Sequence, residues 1–156
     1  MKVQICAVGR LRAGPEKTLI DDYLKRFDRT GRALSLGPVS VLEVDDRKGG
    51  GMAGEAVLLR NAVPSGGLIC CLDERGTVES SVAFAKRLDG WKHRGVGSVS
   101  FVIGGADGIA PDLRENADHK LSFGKMVWPH MLVRVMLAEQ LYRAASILSG
   151  GPYHRA

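Results

Sequence analysis

The chain is poor in the residues that usually announce a chemistry. It has three cysteines, Cys6, Cys70 and Cys71, among 156 residues. Their number is odd, all three sit in apolar runs and no CxxC pair occurs, so they read as buried reduced thiols rather than as metal ligands. No apolar run reaches the roughly 18 residues of a membrane-spanning helix. The opening MKVQICAVGRLR lacks the long apolar stretch and small-residue cleavage site of a signal peptide, and reads as a first strand. An early GxGxxG followed by an acidic residue is missing, which argues against a Rossmann-type nucleotide enzyme. No GK[ST] follows a Gly-rich turn, which excludes a P-loop. Internal repeats and low-complexity tracts are absent.

What is there describes an ordinary folded domain. Apolar residues make up 45% and charged residues 25% of the chain, and the length suffices for one core. The net charge of +5 and a pI near 9.3 are compatible with a polyanionic partner without demanding one. The basic residues are grouped. Arg10 and Arg12 follow the first strand, and Lys25, Arg26, Arg29 and Arg32 surround the end of the first helix. Arg47 and Lys48 lie in a loop, and Arg134, Arg143 and Arg155 lie towards the C-terminus.

Hydrophobic periodicity predicts strands over 2–8, 39–44, 67–73, 98–103 and 120–123. Between them fall helical patterns. The first starts at Pro15 and carries Leu19, Ile20, Tyr23, Leu24 and Phe27 on one face. Others cover 55–62, about 79–93, a brief stretch from Pro111 to Ala117, and 131–148. Residues 45–54 are too Gly-rich to be rigid alone. Strands alternating with helices define an α/β fold with a parallel sheet covered on both faces.

Functional sites in such sheets lie at the carboxyl ends of strands. Two strand ends stand out. Gly104-Gly105-Ala106-Asp107-Gly108 follows the fourth strand, where glycines admit positive φ and close approach of a ligand; a tight connection would use the same residues. Phe123-Gly124-Lys125-Met126-Val127-Trp128-Pro129 follows the fifth. Pro129 keeps the residue before it extended, which frees backbone groups to read an adenine edge. Met126 and Trp128 are candidates to pack on the base, or equally to fill the core. In the last helix Val133, Met136, Leu137, Leu141, Ala144, Ile147 and Leu148 share a broad face, with Glu139, Tyr142, Arg143, Ser146 and Ser149 opposite. The chain stops on Tyr153-His154-Arg155-Ala156, side chains able to stack, bind phosphate and exchange protons. His93 and His119 read as ordinary structural histidines; His130, beside the second loop, is the better functional candidate.

Taken together, KVQICAVGRL, DDYLKRF, CLDERG, FVIGGADG, LSFGKMVWPH, VRVMLAEQLYRAASI and PYHR resemble, end to end, the bacterial pseudouridine N3-methyltransferases of large-subunit ribosomal RNA, within the SPOUT class. The resemblance implies one SPOUT domain over 1–156, a mostly parallel sheet flanked by helices, and a C-terminal trefoil knot. It implies a homodimer in the cytoplasm that uses S-adenosylmethionine and no metal, and that acts on N3 of a pseudouridine in 23S ribosomal RNA, on the assembled ribosome. Leu72, Gly104 and the run Phe123, Gly124, Lys125, Met126, Val127 and Trp128 match the cofactor pocket. His130 and the tail Tyr153, His154 and Arg155 match positions near the substrate, at a site shared between subunits. The middle loop RKGGGMAG is richer in Gly than the family pattern.

The chemistry such a reaction needs is definite. A methylsulfonium is already electrophilic. N3 of a pseudouridine carries an imide proton, which the site must remove while aligning nitrogen, methyl and sulfur. On this expectation His154, or a water it holds, moves the proton. Arg155 and Arg134 stabilise negative charge. The basic groups around Arg10, Arg12, Lys25, Arg26 and Arg29 contact RNA phosphates. A non-catalytic RNA-binding factor of the same fold is the competing reading.

Overall fold

The computed structural model describes residues 1–45 and 50–155. Arg47 and Lys48 therefore lie outside the described residues. The strands are β1 (Lys2–Val8), β2 (Val39–Val44), β3 (Leu68–Val78), β4 (Ser98–Ile103) and β5 (His119–Ser122). They form one five-stranded sheet in the order β2-β1-β4-β3-β5, parallel at every pairing. The central strands are apolar almost throughout because both faces are covered. Val3, Ile5, Cys6, Ala7 and Val8 of β1 and Val99, Phe101 and Val102 of β4 are buried.

Helices α1 (Pro15–Gly31), α3 (Ser81–His93) and α5 (His130–Ser149) share one face, with α5 against both others. Their core joins Leu24, Phe27, Phe84, Leu88, Trp91, Leu137 and Leu141 to β1 and β4. Helices α2 (Gly51–Ala62) and α4 (Pro111–Glu115) cover the other face over Cys6, Cys71, Val102 and Ile109. Pro15 and Pro111 stand in the first turns of α1 and α4, where a missing N–H costs nothing. Ser80 caps α3 by accepting from the Ala83 N–H at 3.1 Å. The three cysteines are free and buried. Burial pushes the Cys6 thiol up to about 11 and the Cys71 thiol up to about 12.

Three elements differ from the sequence expectation. α2 starts at Gly51, inside the stretch 45–54 read as a loop, rather than at 55. β3 does not stop at Asp73 but runs to Val78, because Thr77 and Val78 pair with Leu121 and Ser122 after a register shift. The Glu-Arg-Gly turn is a bulge inside that strand. Gly76 permits it: a Cβ there would stand 2.7 Å from the Lys120 carbonyl. The last helix buries a different stripe from the one predicted. Arg134, Leu137, Ala138, Leu141, Ala144, Ala145 and Ser146 are inside, while Val133 and Met136 are only partly covered. The reason is that α5 is flanked on two sides, and small residues let α1 and α3 come close.

Candidate active site

The bulge of β3, the carboxyl end of β4 and the segment after β5 meet around one cavity of about 670 Å³. Its size is that of a small-molecule or cofactor site. Leu72 and Asp73 come from β3, and Ile103 and Gly104 through Ile109 from β4 and its loop. Phe123, Gly124 and Met126 to His130 come from the segment leading into α5. Of the residues predicted for the cofactor, Leu72, Gly104, Phe123, Gly124, Met126, Val127 and Trp128 stand on this wall, and Lys125 is exposed outside it. His130 also lines the cavity, at the first position of α5.

Glycines shape both loops. A Cβ on Gly104 would lie 2.5 Å from the Gly108 carbonyl, so this position holds the loop tight against itself. Gly124 has φ +115° and open space where a side chain would be, which leaves its backbone facing the cavity. Ser122 fixes this turn. Its Oγ accepts from the Gly124 N–H at 3.1 Å and lies 2.9 Å from the Gly124 carbonyl, to which it donates. Sequence reasoning passed over Ser122, although a Ser two residues before a Gly at a strand end is a turn signal. It also passed over Asp73, whose carboxylate is nearly buried. Asp73 Oδ1 accepts from the Arg75 N–H at 2.9 Å, and Oδ2 lies 3.7 Å from Arg114.

The walls combine apolar and polar parts. Leu72, Ile103, Ile109 and Phe123 offer an apolar slot, and the two Gly-bearing loops bring backbone donors and acceptors to its edge. Asp73, Glu74 and Asp107 line the cavity together with Arg75, and Asp73 is already paired with Arg75 and Arg114.

The tail lies elsewhere on the same subunit. Gly150 takes φ +73° at the end of α5, and the Gly151 N–H donates to the Ser146 carbonyl at 2.8 Å, so the chain folds back along the helix. Tyr153 then donates its hydroxyl to Glu139 Oε1 at 2.9 Å. His154 is half-buried and Arg155 exposed, and neither belongs to the wall of the cavity.

Arg134 corrects an expectation. It was a candidate to stabilise negative charge on the substrate, but its side chain is 3% exposed and engaged inside the protein. Nη2 donates to the carbonyls of Val8 and Gly9 at 2.8 and 2.7 Å, and Nη1 donates to Glu43 Oε2 at 2.7 Å. Its donors hold the ends of β1 and β2 to α5.

A fold of this topology with a cavity at these strand ends belongs with known methyltransferases. The family model described as "Predicted SPOUT methyltransferase" matches residues 1–154. The chain belongs to the SPOUT methyltransferase family, and so works with a methyl donor. Two relatives bear the name ribosomal RNA large subunit methyltransferase H. The one from Ruegeria sp. (strain TM1040) is 69% identical and the one from Roseobacter denitrificans 70% identical, each over 155 residues covering 99% of both chains. Solved structures share the fold at low identity. A probable methyltransferase from Bordetella pertussis Tohama I superposes with a TM-score of 0.56 at 14% identity, covering 92% of this chain and 96% of its own. A probable methylase family protein from Haemophilus influenzae Rd KW20 gives 0.55 at 13%, covering 99% and 70%.

Proposed function

We propose that this protein, as one domain over 1–156, transfers a methyl group from S-adenosylmethionine to N3 of a pseudouridine in 23S ribosomal RNA. Its substrate on this reading is the assembled ribosome, which places the protein in the cytoplasm. The observation that carries the proposal is the convergence of Leu72, Gly104, Phe123, Gly124 and Met126 to Trp128 on one cavity. The names of the relatives support the RNA substrate.

When bound, the donor supplies an electrophilic methyl on sulfur. The chain's own residues do the rest. The apolar wall and the backbone of the 104–108 and 123–129 loops hold and orient the adenosyl group. His154, directly or through a water, takes the imide proton of the target base, and Arg155 balances the charge that results. His130 lines the same cavity and on this reading meets the target base.

Because the tail does not line its own subunit's cavity, this chemistry needs a second copy, and the site on this reading is composite. Exposed apolar side chains support a partner surface. Met126, Val127 and Trp128 lie on the cavity wall, Met131 and Leu132 follow in the first turn of α5 and Leu19 is on α1, each at least 40% exposed. The same reading includes threading of the C-terminal segment as a trefoil knot.

The test is methyl transfer to ribosomes that lack the modification, beside calorimetry with S-adenosylmethionine, NAD and ATP. Saturable binding of S-adenosylmethionine alone, with methyl incorporated at N3, is the expected result. Ribosome binding without cofactor binding would make the protein a non-catalytic factor of the same fold.

A further inference from the structure

The tail is held by a built contact rather than by chance packing. Glu139 Oε1 accepts the Tyr153 hydroxyl at 2.9 Å and, on the same oxygen, Arg143 Nε at 2.9 Å and Nη2 at 2.5 Å. Its other oxygen accepts from Gln140 Nε2 at 3.0 Å, and the Gln140 amide oxygen accepts from Ser81 Oγ at 2.8 Å on α3. The Tyr153 ring lies between two neighbours. Tyr142 packs at 4.5 Å between centroids, and the Arg143 guanidinium lies 4.9 Å from the ring centre. Tyr142 in turn touches Tyr23 and the Arg26 guanidinium on α1. Helix α5 thus holds the terminal side chain directly, α1 backs it through Tyr142, and α3 supports Glu139 through Gln140.

A frayed terminus would need none of this. A charge-assisted hydrogen bond from a phenol, shared with a two-donor guanidinium contact, fixes both the height and the rotation of Tyr153. His154 and Arg155 follow directly, so their placement is inherited from that anchor. Burial, with hydrogen bonds to Tyr23 and Glu139, pushes the Tyr153 hydroxyl well above its ordinary value. It stays protonated and serves as donor to Glu139, which leaves proton transfer to its neighbour.

We propose that Glu139 is a positioning residue for methyl transfer, acting through the Tyr153 hydroxyl and Arg143 to set where His154 and Arg155 stand. The proposal rests on the reading above that the tail serves the reaction.

The test uses the full-length protein with Glu139→Ala and Tyr153→Phe, singly and together. Backbone order parameters of residues 153–155 read the anchor directly. They should fall from the rigid range of about 0.85 to below about 0.6 in each single variant. Turnover on ribosomes lacking the modification should drop about tenfold or more in kcat, with KM and Kd for S-adenosylmethionine within about twofold. The double variant should be no worse than the poorer single one. Tyr153→Phe keeps the ring and so serves if Glu139→Ala folds poorly. An unchanged order parameter, a loss confined to KM, or multiplying effects would overturn the proposal. A chain truncated after Ser149 that still turns over would instead remove the tail from the reaction, whatever the order parameters show.

Discussion

Arg134 and Glu43 are joined at 2.7 Å across 91 residues of sequence. The pair ties α5 to the ends of β1 and β2, and Glu43 Oε2 also accepts from the Leu11 N–H at 2.5 Å. One guanidinium thus orders the start of the last helix and the loop that carries Arg10 and Arg12. Replacing Arg134 with Ala leaves two strand-end carbonyls without this donor and the Glu43 carboxylate without its cation, with only the Leu11 N–H still donating to it. The expected loss is about 3 kcal/mol in urea unfolding. Glu43→Gln should cost less, because Glu43 is 31% exposed and an amide oxygen still accepts.

Gly104 is the most sterically constrained glycine on the cavity wall. A side chain there meets the Gly108 carbonyl at 2.5 Å and Ile109 Cγ1 at 2.9 Å. Gly104→Val should push the 104–109 loop into the cavity and weaken S-adenosylmethionine binding by about a hundredfold or more, as read by calorimetry. Affinity equal to wild type would separate this loop from the cofactor.

Deleting residues 150–156 should abolish methyl transfer and leave the cofactor affinity intact. His154→Ala alone should lower kcat by about 10² to 10⁴, the range of a lost general base. Mixing the His154→Ala protein with a cofactor-binding-defective Gly104→Val protein tests the shared site. Recovery of turnover in the mixture is expected if each site takes its tail from the partner.

Much of this was legible in the sequence, and what was not has physical causes. Alternating strand and helix patterns predicted all five strands and their parallel sense, because the central strands β1 and β4 are covered on both faces and almost wholly apolar. The two Gly-bearing loops were found because the backbone there does something a side chain would prevent. The extension of β3 past Asp73 was hidden. Glu74, Arg75 and Gly76 form a turn by composition, and only the pairing of Thr77 with Leu121 shows that the strand resumes. Arg134 was misread for the same reason. A basic residue near a site suggests a substrate contact, and its real partners are two carbonyls and a carboxylate more than 90 residues away.

Arg10 and Arg12 are exposed on a loop held at the carboxyl edge of the sheet, beside the start of α5. If they meet ribosomal RNA phosphates, Arg10→Gln with Arg12→Gln should weaken ribosome binding at low salt. The slope of log affinity against log salt should flatten by about 0.7 to 0.9 for each phosphate that is no longer neutralised. A parallel shift with no change in slope would place these residues off the RNA.

His119 makes stability depend on pH. It sits at the start of β5, with Nε2 3.3 Å from Glu79 and its ring edge-on to Trp91. Burial, helped by the nearby Arg87, lowers its proton affinity below the ordinary 6.5, and Glu79 only partly offsets this. The folded protein therefore binds the proton less readily than the unfolded chain. The contribution of neutral His119 is complete above pH 6.5 and is lost as the pH falls from there through the depressed folded value. Thermal unfolding should show a midpoint that declines between about pH 7 and pH 5.5. In His119→Gln that part of the decline should disappear, because no proton is taken up there on unfolding. An unaltered slope in the variant would assign the decline to other groups.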